Sequence, residues 1–400
     1  MTGSDRRGDR QKVLIAGAGV AGLEAALALR DLAGDRVEVR LHDPAEEFAY
    51  RPFGIGEPYG TTRAFRYDLQ RLSELCGASL HTDAIAAVEP ERRIAISREG
   101  ERFPYDHLIV ATGARALWAV PGAVTFWEVA DEGQVGDLIA ELRSGRLQRL
   151  VLTMPAEQGW YVPLYELALL VTTVLGKAAN HRGRITVVTP EAAPLGIFGQ
   201  RAAEQTRALL AERRVDVITG AKPIEFAAGR LRIDRGEDVE TEVEADAVIT
   251  LPRLEGRKVS GIPHDGDGFV AVDEHGAVIG LERIYAAGDV SSLPFKQGAF
   301  ATQQADSVAE AIAAAVGVGV EPRAAGPRMR AVLWTGQGPR YLKAENGSNG
   351  GLSAPSQRHL EILHNGRLTA RYLSPLVDSL LASIGSDSAE DRMAEAPQRV

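Results

Sequence analysis

Three glycines at a fixed spacing, and an acid that follows them, are the residues here whose types and spacing point most directly to chemistry. In KVLIAGAGVAGLEAALAL, residues 12–29, the pattern Gly17-Ala18-Gly19-Val20-Ala21-Gly22 stands between an apolar run and a helix-forming run. Gly17 permits a tight turn, Gly19 lets the backbone approach a pyrophosphate, and Gly22 lets the helix pack closely on the strand. Phosphates would meet the helix N-terminus at Val20 and Ala21, where free N–H groups and the helix dipole favour negative charge. Asp43 closes the next apolar segment, Val37 to His42, twenty-one positions after Gly22. That is close to the roughly 20 expected of a ribose-binding carboxylate. Strand, turn, helix and acid in register predict a dinucleotide site.

These residues need a parallel sheet to hold them. Val13 to Ala16 reads as a buried strand, and Tyr105-Asp106-His107-Leu108-Ile109-Val110-Ala111-Thr112-Gly113 as another that runs into a glycine. A second unit is expected from about Val129. It has strand-like segments at Leu150–Thr153, Arg184–Thr189, Val215–Thr219 and Ala247–Leu251, and helical segments at Leu164–Leu175 and Arg201–Arg213. That alternation is the βαβ order of a second dinucleotide-type fold.

Four hundred residues exceed what one hydrophobic core usually serves, so two or three domains are expected. A net charge of −9 argues against nucleic-acid partners, which need a basic face. The single cysteine, Cys76, excludes an internal disulfide and any multi-cysteine metal site. The polar start MTGSDRRGDRQ has no apolar core of a secretory signal, and no apolar run reaches the ~20 residues that span a bilayer. A cytoplasmic location follows as the expectation, with attachment to the inner face of a membrane at most peripheral.

Three segments together, GAGVAGLEAALAL, LIVATGA and IYAAGDVSSLPFKQGAFATQQA, resemble those of flavoproteins with two dinucleotide-binding domains. Their spacing is most similar to sulfide:quinone oxidoreductases and type II NADH dehydrogenases. The likeness covers residues 12–343. It implies FAD in a domain made of two separated segments. Gly17, Gly19, Val20, Ala21 and Gly22 would hold the pyrophosphate, Asp43 the adenosine ribose, and Thr112-Gly113 would lie beside the cofactor. Gly288-Asp289 would reach the ribityl chain or a phosphate. Lys296 and the helix after it would face the flavin, where positive charge raises its potential. A solvated loop lysine is the plain alternative for Lys296, and a helix N-cap for Asp289.

The sequence departs from this family where nicotinamide-using members carry a second glycine turn. Here it reads Val151-Leu152-Thr153-Met154-Pro155-Ala156-Glu157-Gln158-Gly159-Trp160, with one glycine and a proline that has no N–H to offer. Glu191, just past the next strand, could still take a ribose. Cys76, at the end of a helix far from the flavin motifs, reads as a small buried hydrophobe rather than half of a sulfide-oxidising pair. Glu166 aligns with an acid that lies near flavin and quinone in the relatives and would relay protons; a surface glutamate is the alternative. Gln303-Gln304 resembles the helix start that lines a quinone site, with Gln303 the candidate and one of the two on ordinary surface. Leu376, Val377, Leu380, Leu381 and Ile384 share a helix face among acidic neighbours, which favours core or dimer packing over a membrane surface.

The fold class expected is therefore α/β, with two Rossmann-like dinucleotide-binding domains, the FAD domain discontinuous, and a small C-terminal region. The expected bounds are 11–128 and 265–330 for the FAD domain, 129–264 for the degenerate NAD-type domain and 331–385 for a C-terminal interface region. Tails 1–10 and 386–400 are expected to lack order. The expected activity is an FAD-dependent oxidoreductase that passes two electrons from a small-molecule donor to a quinone-like acceptor, with a homodimer as the candidate assembly and no metal. Two alternatives stand beside it: an NAD(P)H:acceptor oxidoreductase, and a flavin-binding regulatory or scaffold protein without turnover.

Overall fold

The computed structural model describes residues 10–50, 65–127, 132–155, 160–176, 183–236, 240–325, 329–344 and 370–380. The second expected tail, most of the first, Val129, Gly159, the polar linker 345–356, Leu381 and Ile384 lie outside them.

Ten strands build two parallel sheets. In chain order they are β1 (Gln11–Ala16), β2 (Val37–His42), β3 (Ser79–His81), β4 (His107–Val110), β5 (Val124–Thr125), β6 (Arg149–Thr153), β7 (Arg184–Val188), β8 (Val215–Ile218), β9 (Ala247–Thr250) and β10 (Ile284–Ala286). The first sheet runs β10-β4-β1-β2-β3 and the second β5-β9-β6-β7-β8, every pairing parallel. The fold is thus the expected pair of Rossmann-like units, with the first interrupted by the second. The two crossings pair with each other as antiparallel strands, Ala114–Leu117 against Arg253–Gly256.

Side-chain alternation explains why β1 is apolar throughout. Val13 and Ile15 point to one face and join Leu23, Leu27 and Leu29 of helix α1 (Val20–Ala33). Leu14 and Ala16 point to the other and meet Ile85, Val88, Ala95 and Phe103 of a three-stranded antiparallel sheet. A strand covered on both faces has no solvent side on which to place polar residues.

Four more helices matter here: α2 (Leu69–Leu75), α3 (Glu132–Ser144), α4 (Val162–Gly176) and α5 (Gln200–Glu212). Helix α4 is buried through most of its length in the second core. A final long helix, α6 (Gly298–Ala315), lies beside α1 in the first core. The C-terminal region divides between the two cores. A hairpin of β11 (Met329–Trp334) and β12 (Pro339–Ala344) sends Leu333 and Leu342 into the second. The helix over 373–380 sends Leu373 and Val377 into the first, with Leu376 and Leu380 packed at its edge. Its apolar stripe is core packing, the alternative favoured from the sequence. Among the described residues, no helix is long and apolar enough to cross a membrane.

Cys76 follows α2 as its C-cap and is buried in the first core. Burial, ahead of the opposing pull of Arg30, pushes its thiol up to about 12. A thiol in that state has almost no reactive thiolate at neutral pH. Native protein should therefore resist thiol-specific reagents that label it fully once unfolded. Cys76→Ala should retain its cofactor and lose only ~1–2 kcal/mol of stability. Rapid labelling of the folded protein would contradict this placement.

Candidate functional site

The glycine turn has the geometry its spacing predicts. Gly17 has φ +110°, and a Cβ there would lie 2.2 Å from the Ala111 carbonyl oxygen. Its N–H donates to the His42 carbonyl at 2.8 Å, which fixes the turn to the end of β2. A Cβ on Gly22 would sit 1.9 Å from the Gly17 carbonyl oxygen, so α1 rests directly on the turn. Around Gly19 the situation is reversed: nothing lies within 4 Å of a Cβ built there. Gly19 is the N-cap of α1, no side chain caps the helix, and its first turn carries no acid. Open space in front of an uncapped helix N-terminus is an anion cradle.

Asp43 braces this cradle. One carboxylate oxygen accepts the Ala18 N–H at 2.8 Å and the other the Ala45 N–H at 2.9 Å. Each oxygen has a second lone pair, so the acid can still receive a ribose hydroxyl.

The other expected residues gather at the same edge of the first sheet. Gly288, with φ +82°, is wedged between the first turns of α1 and α6: a Cβ there would be 3.0 Å from that of Ala21 and 3.7 Å from that of Ala301. Asp289 follows it, half-buried. Thr112 and Gly113 continue β4 past the Gly17 turn, and Thr112 Oγ1 donates to the Arg257 carbonyl at 3.3 Å. Helix α6, like α1, begins without a side-chain cap or an acid in its first turn.

Lys296 is not the solvated loop lysine of the plain alternative. It is buried, its Nζ donates to the Ser291 carbonyl, and it lies 3.8 Å from the centroid of the Phe269 ring. Burial pushes its pKa down to about 8, against the opposing pull of Asp289 and Asp265. The glutamine pair separates by face. Gln304 is buried, and its amide oxygen accepts the Gly288 N–H at 2.9 Å and the Ser291 hydroxyl at 3.0 Å. Gln303 is half-buried and donates to the Ala299 carbonyl of its own helix at 3.0 Å. Gln304, the member not singled out from the sequence, thus holds the Gly288 turn. A face assignment on α6 would have found it, had the direction of the core been known.

The second unit is built differently at the equivalent place. After β6 the chain leaves through Met154 and Pro155, and no phosphate-facing glycine turn stands among its described residues there. Glu191, the acid beyond β7, is consumed internally. It accepts the Tyr165 hydroxyl and, at 3.1 Å, that of Thr189, while its other oxygen takes the Leu195 N–H at 3.0 Å. Burial pushes its carboxyl up to about 7 despite these donors. Tyr165, fully buried on α4, is the partner that sequence reading missed. A cleft of about 630 Å³ lies over this network, its walls both apolar (Tyr161, Ile197) and polar (Glu191, Gln200, Glu204 and Arg207). Among the described residues, this unit offers a nicotinamide dinucleotide neither a glycine-turn cradle nor a strand-end carboxylate free of internal partners.

Glu166 is buried, which removes the surface alternative. Its Oε1 accepts the Trp334 N–H at 2.8 Å, so α4 holds the β11–β12 hairpin. On the other side Gln297 Nε2 donates to the Arg330 carbonyl at 2.6 Å, tying the hairpin to the start of α6. Among the described residues, no group of three or more His, Cys, Asp or Glu side chains is placed to hold a metal.

The glycine geometry separates two substitutions by their effect. Gly22→Ala drives a Cβ into backbone and should lower the melting temperature or abolish folding. Gly19→Ala meets no atom and should leave the fold near its normal stability while weakening the dinucleotide at least ~ten-fold, about 1.4 kcal/mol. Melting curves with fluorescence titration of the cofactor measure both. Equal loss of stability in the two variants would contradict the assignment.

Three relatives place this geometry among known proteins. The mitochondrial sulfide:quinone oxidoreductase of Dictyostelium discoideum is 26% identical over 109 residues, 27% of this chain and 24% of that protein's length. The ferredoxin reductase component of chlorobenzene dioxygenase from Cupriavidus sp. (strain PS12) is 26% identical over 342 residues, 81% of this chain and 77% of its own. The solved sulfide:quinone oxidoreductase of Aquifex aeolicus superimposes with a TM-score of 0.78 at 19% identity, over 88% of each chain. The pyridine nucleotide-disulphide oxidoreductase family matches residues 11–152 and 166–315. The chain belongs to that family and is a flavin-dependent oxidoreductase with FAD as its cofactor.

Proposed function

We propose that this oxidoreductase passes two electrons through FAD to a quinone-like acceptor, which enters where α4, α6 and the β11–β12 hairpin meet. The observation that carries the reading is the hairpin itself. Held by Glu166 on one side and Gln297 on the other, it closes an apolar, aromatic junction at the start of α6, where the Phe295 and Phe300 rings lie 6.1 Å apart, edge to face. A quinone ring is apolar and planar, and such a junction both accepts it and excludes water.

FAD, when bound, supplies the two-electron chemistry. This chain's residues position it and manage charge. Gly17, Gly19, Gly22 and Asp43 hold the nucleotide end, and the Gly288-Asp289 turn, kept by Gln304, supports the middle. The buried ammonium of Lys296 and the uncapped N-terminus of α6 set a positive potential at the far end, the lever a protein has on a flavin. Glu166, a buried carboxyl at the junction, holds a proton for the acceptor, which gains two protons as it gains two electrons. Gln303, half-buried on α6, contacts the acceptor beyond it.

The closed second unit favours a donor other than NADH or NADPH. With one buried thiol in the chain, the sulfide chemistry in the names of its relatives has no cysteine pair to run on. The donor is therefore a small molecule that reaches the flavin directly.

Glu166→Gln keeps an oxygen for the Trp334 N–H and removes the proton. Protein reduced anaerobically with dithionite and mixed with a short-chain quinone should reoxidise rapidly in the wild type and ~100-fold or more slowly in the variant. Ferricyanide, which needs no proton, should reoxidise both alike. Equal quinone rates would overturn the role of Glu166, and a wild type that no quinone reoxidises would overturn the proposed acceptor.

A further inference from the structure

We propose that the C-terminal helix over 373–380 is a clasp on the cofactor-binding unit, closed by Glu24 and adjusted by a cluster of three carboxylates and two guanidiniums beneath it. This stands apart from the identity of the acceptor.

Glu24 lies one helical turn beyond Val20, on the helix whose N-terminus forms the anion cradle. Its side chain is fully buried, yet both oxygens are occupied from 348 and 349 positions away. Oε1 accepts the Tyr372 N–H at 3.0 Å and Oε2 the Leu373 N–H at 2.6 Å. Those N–H groups open the C-terminal helix, so Glu24 does for it, from another helix, what an N-cap side chain does locally. The Tyr372 hydroxyl adds a bond to Asp31, also on α1, at 3.0 Å. Leu373 and Val377 then fill the core between α1 and α6.

Charge under the clasp is unbalanced. Glu24 comes from α1, and Asp306 and Glu310 from α6. Arg323 follows α6, and Arg371 precedes the clasp helix. Glu310 is taken by Arg323, through Nε at 2.9 and 3.1 Å and the backbone N–H at 2.9 Å, with Arg371 3.8 Å away. Asp306 Oδ1 is buried and has no hydrogen-bond partner. Three acids against two arginines leave Asp306, the one with no guanidinium of its own, more stable with its proton, and burial raises the carboxyl of Glu24 as well, against its backbone donors. Burial first, and then Glu24, push Asp306 up to about 7, with Arg371 and Arg323 opposing and Glu310 adding. At the far end of the clasp, Asp378 faces Tyr67.

The sign follows from where the proton sits. Between the ordinary carboxyl range and about pH 7, the closed clasp holds a proton on Asp306 that the open, hydrated form releases. The clasp therefore loses grip as pH rises through that window and levels off above it. Because α1 and α6 both present their N-termini to the dinucleotide, a looser clasp loosens the cradle.

Hydrogen exchange of the holoprotein, read on the peptide containing residues 370–380 and corrected for intrinsic rates, tests this alongside the rate of FAD release after dilution. Exchange and release should both be several-fold faster at pH 8 than at pH 5.5. Asp306→Asn should shrink that difference several-fold and keep the clasp closed at pH 8, whereas Glu24→Gln should open it at both values. A pH difference undiminished in Asp306→Asn, a closed clasp in Glu24→Gln, or a clasp that opens while FAD release stays unchanged would each overturn the proposal. Should Glu24→Gln fail to fold, the Asp306→Asn comparison decides alone.

Discussion

The distance of 1.9 Å between a Cβ imagined on Gly22 and the carbonyl oxygen of Gly17 is the constraint from which the cofactor-binding half follows. Only a residue without a side chain lets α1 press onto the turn that precedes it. That contact brings the N-terminus of α1 to the edge of the sheet, with Gly19 facing open space. It also places Ala21 where Gly288 must pass beneath it, and Gly288 in turn meets Ala301 at the start of α6. Two helix N-termini and a glycine turn, distant in sequence, therefore converge on one crevice. A backbone approach that close tolerates no adjustment, because its partner is a carbonyl and not the end of a flexible side chain.

The second unit repeats the topology, and its described residues show no counterpart of that contact. Pro155 stands near the place where a phosphate would need an N–H, and the strand-end acid Glu191 turns inward to the hydroxyls of Tyr165 and Thr189. Polar groups that would face a ligand in an open unit are satisfied here within the protein, as burial requires. Helix α4 of this unit holds the β11–β12 hairpin through Glu166 and so helps shape the junction at the start of α6.

Much of the first unit was legible because its chemistry is local. The apolar run of β1, the glycine spacing and the acid at Asp43 all fall between Val13 and Asp43, in an order that carries its own chemistry. The same locality made Pro155 readable as a departure. What escaped depends on distance in sequence. Tyr165 and Glu191 are 26 positions apart and meet through the packing of α4 on β7. Glu24 reaches Tyr372 across 348 positions, and no periodicity on either helix announces it. Lys296 and Glu166 were visible as residues, but their burial follows from neighbours, Phe269 and the β11 strand, that arrive from elsewhere. Between Gln303 and Gln304 sequence offered no choice, since the inner face of α6 is set by α1.

The central claim is that one Rossmann unit is open to a dinucleotide and the other is closed to one. Anaerobic stopped-flow mixing of the yellow holoprotein with NADH and with NADPH tests it most directly. Hydride transfer needs the nicotinamide held within about 3–3.5 Å of the flavin, and a closed second unit cannot supply that grip. Slow bleaching of the flavin absorbance, linear in nucleotide through the sub-millimolar range, is the predicted result. Fast bleaching that saturates with either nucleotide would contradict the account and show that the second unit binds what its turn and its acid are arranged to refuse.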